Sequence, residues 1–315
     1  MTALASRPAE NTGSDQAERA GRGFWHVVGH ACIALLAAAG VAGVYLACVR
    51  TSLGQTVDTL MMHGADVRHE RVVQVLERAL NGTTLASLVL VCVAAAAIGV
   101  IRRRIDLALA AGLLVVGANA STRLFKIRLP RPDLDGFPMS NSFPSGHTTA
   151  AASVAFALIL VLPFAIRGTV ALIGAAYVTI IAIATVWAEW HRPSDTIAAL
   201  LVVLAWAAGA SALIRARRAR ITGVTARPNR LAMLLFGGVG TLAGLTGLLG
   251  IGAVVLSERV TPDLVSGRFA FFAGAAAITA AVAGVFAIWV RLAAGDRPVG
   301  SGSELASAQP APAAD

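Results

Sequence analysis

The stretch Thr169 to Trp187 reads TVALIGAAYVTIIAIATVW and carries no charged side chain. A helix over it, rising 1.5 Å per residue, comes close to the ~30 Å thickness of a bilayer's hydrocarbon core. Comparable apolar runs lie on both sides. Spanning helices are predicted at Trp25 to Val49, Thr84 to Ile101, Ile105 to Leu124, His147 to Ile166, Thr169 to Trp187, Thr196 to Ile214, Leu231 to Leu256 and Phe269 to Val290. Of the 315 residues, 57% are hydrophobic and 14% are charged, against about a quarter charged in a soluble domain. Mean hydropathy is +0.73. The fold class expected is all-α, a polytopic helical bundle whose helices satisfy their own backbone while facing lipid.

The formal charge of +9 would suit a nucleic-acid binder, but the placement of the arginines excludes that reading. They gather at the ends of apolar runs, in Arg102, Arg103 and Arg104, and again in Arg215, Arg217, Arg218, Arg220, Arg227 and Arg230. Such clusters mark cytoplasmic loops. With the N-terminus cytoplasmic, both clusters fall inside, and the loops Lys126 to Gly146 and Ala188 to Asp195 fall together outside. Arg50 to Gly82 is also expected outside, with Asp58, Asp66, Glu70 and Glu77 balancing its arginines. Within it Val72, Val73, Leu76 and Leu80 fall at helical spacing, the mark of a short helix on the membrane surface.

Residues 1–22 are polar, small and mixed in charge, and residues 291–315 are rich in Ala, Ser, Pro and Gly; both are expected to be disordered cytoplasmic tails. The first apolar run is too long for the core of a cleaved signal peptide. Cys32, Cys48 and Cys92 lie inside apolar runs, where a thiol packs without a partner, so neither a disulfide nor a zinc site is expected. The glycines of the seventh run, among them Gly237, Gly240, Gly244, Gly247 and Gly250, lack the flanking strand of a phosphate-binding loop. They fit close helix approach instead.

Two segments open predicted helices on the expected outer side: Pro144-Ser145-Gly146-His147 and His191-Arg192-Pro193-Ser194-Asp195. A helix start offers unpaired amides and positive dipole charge, so Ser145, Gly146 and His147 form a candidate anion site. Gly146 lets a ligand approach the backbone, and the Ser145 hydroxyl either joins that site or caps the helix. His191 and Asp195 are one helical turn apart, where a carboxylate can orient an imidazole and leave its second nitrogen free to attack. Arg123, Lys126, Arg128 and Arg131 gather on an outward loop, against the positive-inside trend, as cations that hold an anionic substrate would. Asp133 and Asp135 are read as turn caps rather than metal ligands. Trp187 and Trp190 are read as part of an interfacial aromatic belt.

The succession Arg131-Pro132, then Pro144-Ser145-Gly146-His147, then His191 with Asp195 resembles the type 2 phosphatidic acid phosphatase (PAP2) family of integral-membrane lipid phosphatases. The resemblance covers roughly Ile105 to Ile214. It implies a six-helix core over residues 23–214, followed by the basic loop 215–230 and a two-helix extension over 231–290. It also implies a hydrolase that works without metal or cofactor, acting on a lipid phosphate or isoprenyl diphosphate, with membrane lipids as its surroundings. His191 would be the nucleophile, Asp195 its orienting partner and His147 the general acid. Lys126, Arg131, Ser145, Gly146 and Arg192 would hold the phosphate. A phosphoryl or headgroup transferase, or a non-hydrolytic binding or transport component, are the neighbouring alternatives.

The chain departs from the family pattern in two places. The usual Lys seven residues before Arg131 is Leu124 here, with Lys126 five before. The usual Ser-Arg ahead of the histidine is Ala184-Thr185. Losing one charge-assisted contact to a transition state costs on the order of 3 kcal/mol, about a hundredfold in rate. Arg192 is the nearest cation that can compensate.

Overall fold

The structure is a computed structural model. It describes residues 12–65, 74, 78, 93–94, 97–101, 103–218, 228–261 and 264–294. Helix α1 (Thr12–Val44) runs on through a π-helical segment (Tyr45–Val49) to α2 (Ser52–His63), which the Thr51 hydroxyl caps by accepting from the Gly54 amide at 3.1 Å. Then follow α3 (Ile105–Arg128), α4 (Gly146–Val161), α5 (Phe164–Trp187), α6 (Pro193–Arg218), α7 (Arg230–Val260) and α8 (Gly267–Ala294).

Six of these helices are long and apolar enough to cross a bilayer, and α4 is a shorter apolar helix. The chain is a multi-pass membrane protein. The helix begins at Thr12, inside the stretch expected to be a disordered tail, and the apolar part of α1 starts at Phe24, as the sequence indicates. The span expected over Thr84 to Ile101 and the surface helix over Val72 to Leu80 lie for the most part outside the described residues; 74, 78, 93–94 and 97–101 are helical. Residues 1–11 and 295–315 of the two tails also lie outside them.

The helices sort by how much of each faces lipid. α1 and α7 bury the least of their apolar windows and α6 the most, and α4 is buried along most of its length. α4 and α6 therefore form the axis, with exposed leucines such as Leu36, Leu242 and Leu248 outside. A helix lined with apolar side chains on its outer face is what lipid permits and water does not. Both axial helices start at the same end, where α1, α3, α5 and α7 finish.

The boundary between α4 and α5 falls at Leu162–Pro163, not after Ile166 as the sequence suggested. Pro163 has no amide hydrogen, and it drives Leu162 to an extended ψ of 158°. Arg167, which looks like a loop residue, sits in the first turns of α5 and turns back over the helix ends. Its guanidinium donates to the carbonyls of Leu160 (2.9 Å), Leu162 (3.0 Å) and Ala293 (2.7 Å), satisfying C-terminal carbonyls that no helix satisfies itself.

α2 was not foreseen. It folds into the bundle instead of lying on the outer surface, and it buries Gln55, Asp58, Met61 and Met62. Asp58, expected as a surface counter-charge, is 2% exposed. Gln55 staples the loop after α3, donating to the carbonyls of Val49 and Pro132 (both 2.7 Å) and accepting from the Leu134 amide (3.2 Å).

α7 and α8 pack along one side of this core. The close-approach reading of the α7 glycines holds for part of the set. A Cβ on Gly247 would come within 2.8 Å of the Ala277 backbone, and one on Gly250 within 2.6 Å of the Ala273 Cβ, whereas Gly237, Gly238 and Gly252 have nothing within 4 Å. α8 is keyed to the axis by Trp289, fully buried, stacked on Phe156 at 5.2 Å and donating to its carbonyl at 3.2 Å.

Candidate active site

The site is assembled where α4 and α6 begin. α5 ends in a turn with Glu189 in the left-handed region (φ 60°), a conformation that costs a non-glycine residue of order 1 kcal/mol. The turn aims the amides of Trp190 and His191 at the Thr185 carbonyl, at 3.0 and 3.2 Å. Pro193 then starts α6, as a residue with fixed φ and no amide hydrogen does well.

Asp195, in the first turn of α6, is fully buried. It accepts from the Ser142 hydroxyl at 2.5 Å, from the Arg192 amide at 3.0 Å and from Arg131 Nη1 at 3.2 Å. Its other neighbour is His191 Nδ1 at 3.6 Å, too long for a hydrogen bond but close enough for charge to act. The Asp195 carbonyl accepts from the Ser145 amide at 2.9 Å. That single backbone bond joins the two motifs, which are distant in sequence.

The imidazoles of His147 and His191 lie with ring centroids 6.1 Å apart, nearly edge to face. Trp190, expected in an interfacial belt, places its ring 5.5 Å from His147. The Ser145 hydroxyl accepts from the Thr148 amide at 3.3 Å, so it caps α4. Lys126 comes to the same place from the end of α3: its Nζ lies 3.8 Å from where a Gly146 Cβ would sit. Asn141 holds the intervening loop on α3, donating to the Lys126 and Leu129 carbonyls.

His147, His191, Asp195, Lys126, Arg131, Ser145 and Gly146 are thus brought together at one end of the bundle. Arg192 is partly diverted. Its Nε donates to the Thr59 hydroxyl at 2.8 Å and its Nη2 to Asp135 at 3.1 Å, leaving Nη1 buried without a partner. Burial and the nearby Arg131 pull the Arg192 guanidinium below its ordinary value. Asp133 and Asp135 cap turns as read, accepting from the Gly136 and Phe137 amides. Asp135 also accepts from Thr59 at 2.5 Å; burial works against its charge, but these donors and Arg192 hold it below the usual carboxylate range.

Three contributors escaped the sequence reading. Ser142, three residues ahead of Ser145, binds Arg131 (2.9 Å) and Asp195 together. Asp58 accepts from the Ser194 amide at 3.0 Å and from its hydroxyl, and lies 4.0 Å from Arg131 Nη2. Thr59 bridges Asp135 and Arg192. Burial first, then the charge of Asp195, pushes the Asp58 carboxyl up to about 7.

Arg131 Nε and Nη2, Thr148 Oγ1 and His191 Nδ1 are buried with no hydrogen-bond partner in the protein. The unpartnered Arg131 nitrogens, beside two facing imidazoles and a helix start, suit a phosphate group. Fold and site together define a polytopic membrane protein with two facing histidines, a buried carboxylate and buried cations gathered at one end of its helical bundle. Residues 86–219, which take in α3 to α6, match the family model of the PAP2 superfamily. No curated protein and no solved structure matches the chain.

Proposed function

We propose that the protein is a membrane phosphatase that hydrolyses a lipid phosphate or isoprenyl diphosphate through a phosphohistidine on His191, at the extracytoplasmic face. The observation that carries this reading is the 6.1 Å pairing of the His147 and His191 rings beside Arg131 and Asp195. A pure binder needs neither a nucleophile nor an acid.

In the first step His191 Nε2 attacks phosphorus, with Nδ1 turned to Asp195. The bond from phosphorus to the leaving oxygen breaks as His147 gives that oxygen a proton. Arg131, Lys126 and the amides at the start of α4 stabilise the three equatorial oxygens, where positioning and charge carry most of the catalysis of phosphoryl transfer. In the second step water attacks the phosphohistidine, His147 takes its proton, and phosphate leaves with His191 restored. An alcohol in place of water makes the same site a transferase.

The orientation rests on charge. Arg103, Arg104, Arg215, Arg217, Arg218 and Arg230 lie at the helix ends opposite the site, which the positive-inside rule assigns to the cytoplasm. The non-hydrolytic reading draws on one observation, Thr185 where the family carries arginine, with Arg192 engaged by Thr59 and Asp135 rather than replacing it.

The deciding experiment is phosphate release by purified protein in detergent with EDTA, across isoprenyl, glycerolipid and soluble phosphates. A lipid phosphate should be hydrolysed, and His191→Ala should abolish turnover while the protein still elutes as wild type. Unchanged turnover in that variant would remove the proposed nucleophile; no release from any lipid substrate favours the binding reading.

A further inference from the structure

Asp58 belongs to α2, outside the segment that matches the family, yet its side chain is 2% exposed at the centre of the site. Two elements of the proposed machinery meet it. One is the turn that starts α6: the Ser194 amide and hydroxyl both donate to the Asp58 carboxyl. The other is Arg131, whose Nη2 lies 4.0 Å away while its Nη1 is held by Ser142 and Asp195.

A guanidinium is a rigid plane. An anchor at Nη1 leaves that plane free to pivot, and a second charge 4.0 Å from Nη2 restrains the pivot. We infer that Asp58 is a positioning residue for the reaction proposed above: it fixes the plane of Arg131 with respect to the phosphate and seats the turn between His191 and Asp195. Asp58 acts through these neighbours and is not assigned a contact with substrate. This gives α2, which also supplies Thr59, a task in a site whose remaining residues come from α3 to α6 and their connections.

The inference rests on the phosphatase reading, so its test is built to fail separately. Phosphate release is measured at pH 8, above the value near 7 to which burial raises Asp58, for wild type, Asp58→Asn, Arg131→Lys and the double variant. Asparagine keeps an acceptor for Ser194 but not the charge. Lysine keeps a cation but not the fork. Asp58→Asn is expected to lower kcat about tenfold in the wild-type background and less than about twofold in the Arg131→Lys background, the non-additivity of two groups acting as one unit. KM should change by less than about threefold. Equal losses in the two backgrounds would assign Asp58 a purely structural role and overturn the inference, with the phosphatase reading intact.

The same four proteins are titrated with inorganic phosphate by calorimetry. If the wild type proves to have no turnover, the phosphatase reading fails. Non-additive phosphate affinities would still uphold the positioning of Arg131, whereas additive affinities or no binding would overturn it. Asp58→Ser, smaller and still an acceptor, enters the same cycle if the asparagine variant does not fold.

Discussion

Asp195 faces His191 through one oxygen that is also the acceptor for Ser142 and for the Arg192 amide. Deleting the Ser142 hydroxyl removes a hydrogen bond to a buried carboxylate, worth ~1.5–3 kcal/mol. Ser142→Ala is therefore expected to lower kcat about tenfold, with a smaller rise in KM because Ser142 also holds Arg131. Full kcat in that variant would exclude Ser142 from the reaction. Asp58 makes a prediction in pH. Its carboxyl stands at about 7 in the folded protein against an ordinary 3.8, so folding favours its protonated form. That contribution is complete below the unfolded value and is lost as pH rises through the folded one. Asp135, held low, acts in the opposite sense and at lower pH. Thermal unfolding in detergent should show Tm falling between about pH 4 and 7, and Asp58→Asn should flatten the fall; parallel curves for the two proteins would contradict it. The residues legible in the sequence are those in short local motifs. His147 stands next to Gly146 at a helix start, and His191 stands one turn from Asp195. Ser142 and Asp58 carry no such mark, because what makes them part of the site is their distance from Arg131, and that exists only once α2 and the loop have folded.

Arg167 illustrates what apolar runs reveal and what they hide. The run from His147 to Ile166 and the charge at Arg167 suggested a helix end there, because an arginine beside an apolar stretch ordinarily reaches for water or headgroups. The structure breaks the chain earlier, at Pro163, and answers the charge with three carbonyls from the ends of α4 and α8. The existence of both helices was legible from hydropathy; their boundary depended on a tertiary contact to Ala293, more than a hundred residues away. α2 was hidden for a related reason. Its sequence is only moderately apolar, and its buried Gln55 and Asp58 look like surface residues until their partners Pro132 and Ser194 are in place. Arg167→Ala leaves those carbonyls without a donor, at ~1–3 kcal/mol for a buried unsatisfied group. The expected outcome is a loss of about 3 kcal/mol or more in unfolding stability, read as a lower Tm in detergent, with partial recovery in Arg167→Lys. A Tm equal to wild type would mean that the carbonyls are served by water at the membrane surface.

At the scale of the whole molecule, the last two helices are part of the support of the site. The sequence placed them outside the family-like core and assigned them no task, since nothing in an apolar run names the helix it will meet. α8 begins against the end of α2: a Cβ on Gly64 would lie 1.8 Å from the Gly267 carbonyl oxygen. Further along, a Cβ on Gly274 would lie 3.1 Å from Pro193, the first residue of α6, and 3.2 Å from Met61 of α2, so a larger residue there presses on both. Val57 and Met61 of α2 share a small apolar cluster with Val254 of α7 and Ala270 of α8. The route from α8 to the chemistry is then short, through Pro193 to His191 and Asp195 on one side, and through α2 to Asp58 and Thr59 on the other. The obstacle at Gly64 is backbone, which cannot rotate aside, so Gly64→Ala must separate α2 from α8. It is expected to lower Tm and to reduce kcat at least tenfold, the scale on which misplacement of catalytic groups by a fraction of an ångström acts. Gly237→Ala is the control. That glycine is in the interior of α7 with open space around its Cα, and alanine there should stabilise by ~0.5–1 kcal/mol and leave turnover alone. Phosphate release and Tm measured on the two variants side by side separate the outcomes. Wild-type activity in Gly64→Ala would make α7 and α8 an attachment to a self-sufficient core, whereas a selective loss there makes them a wall of the site.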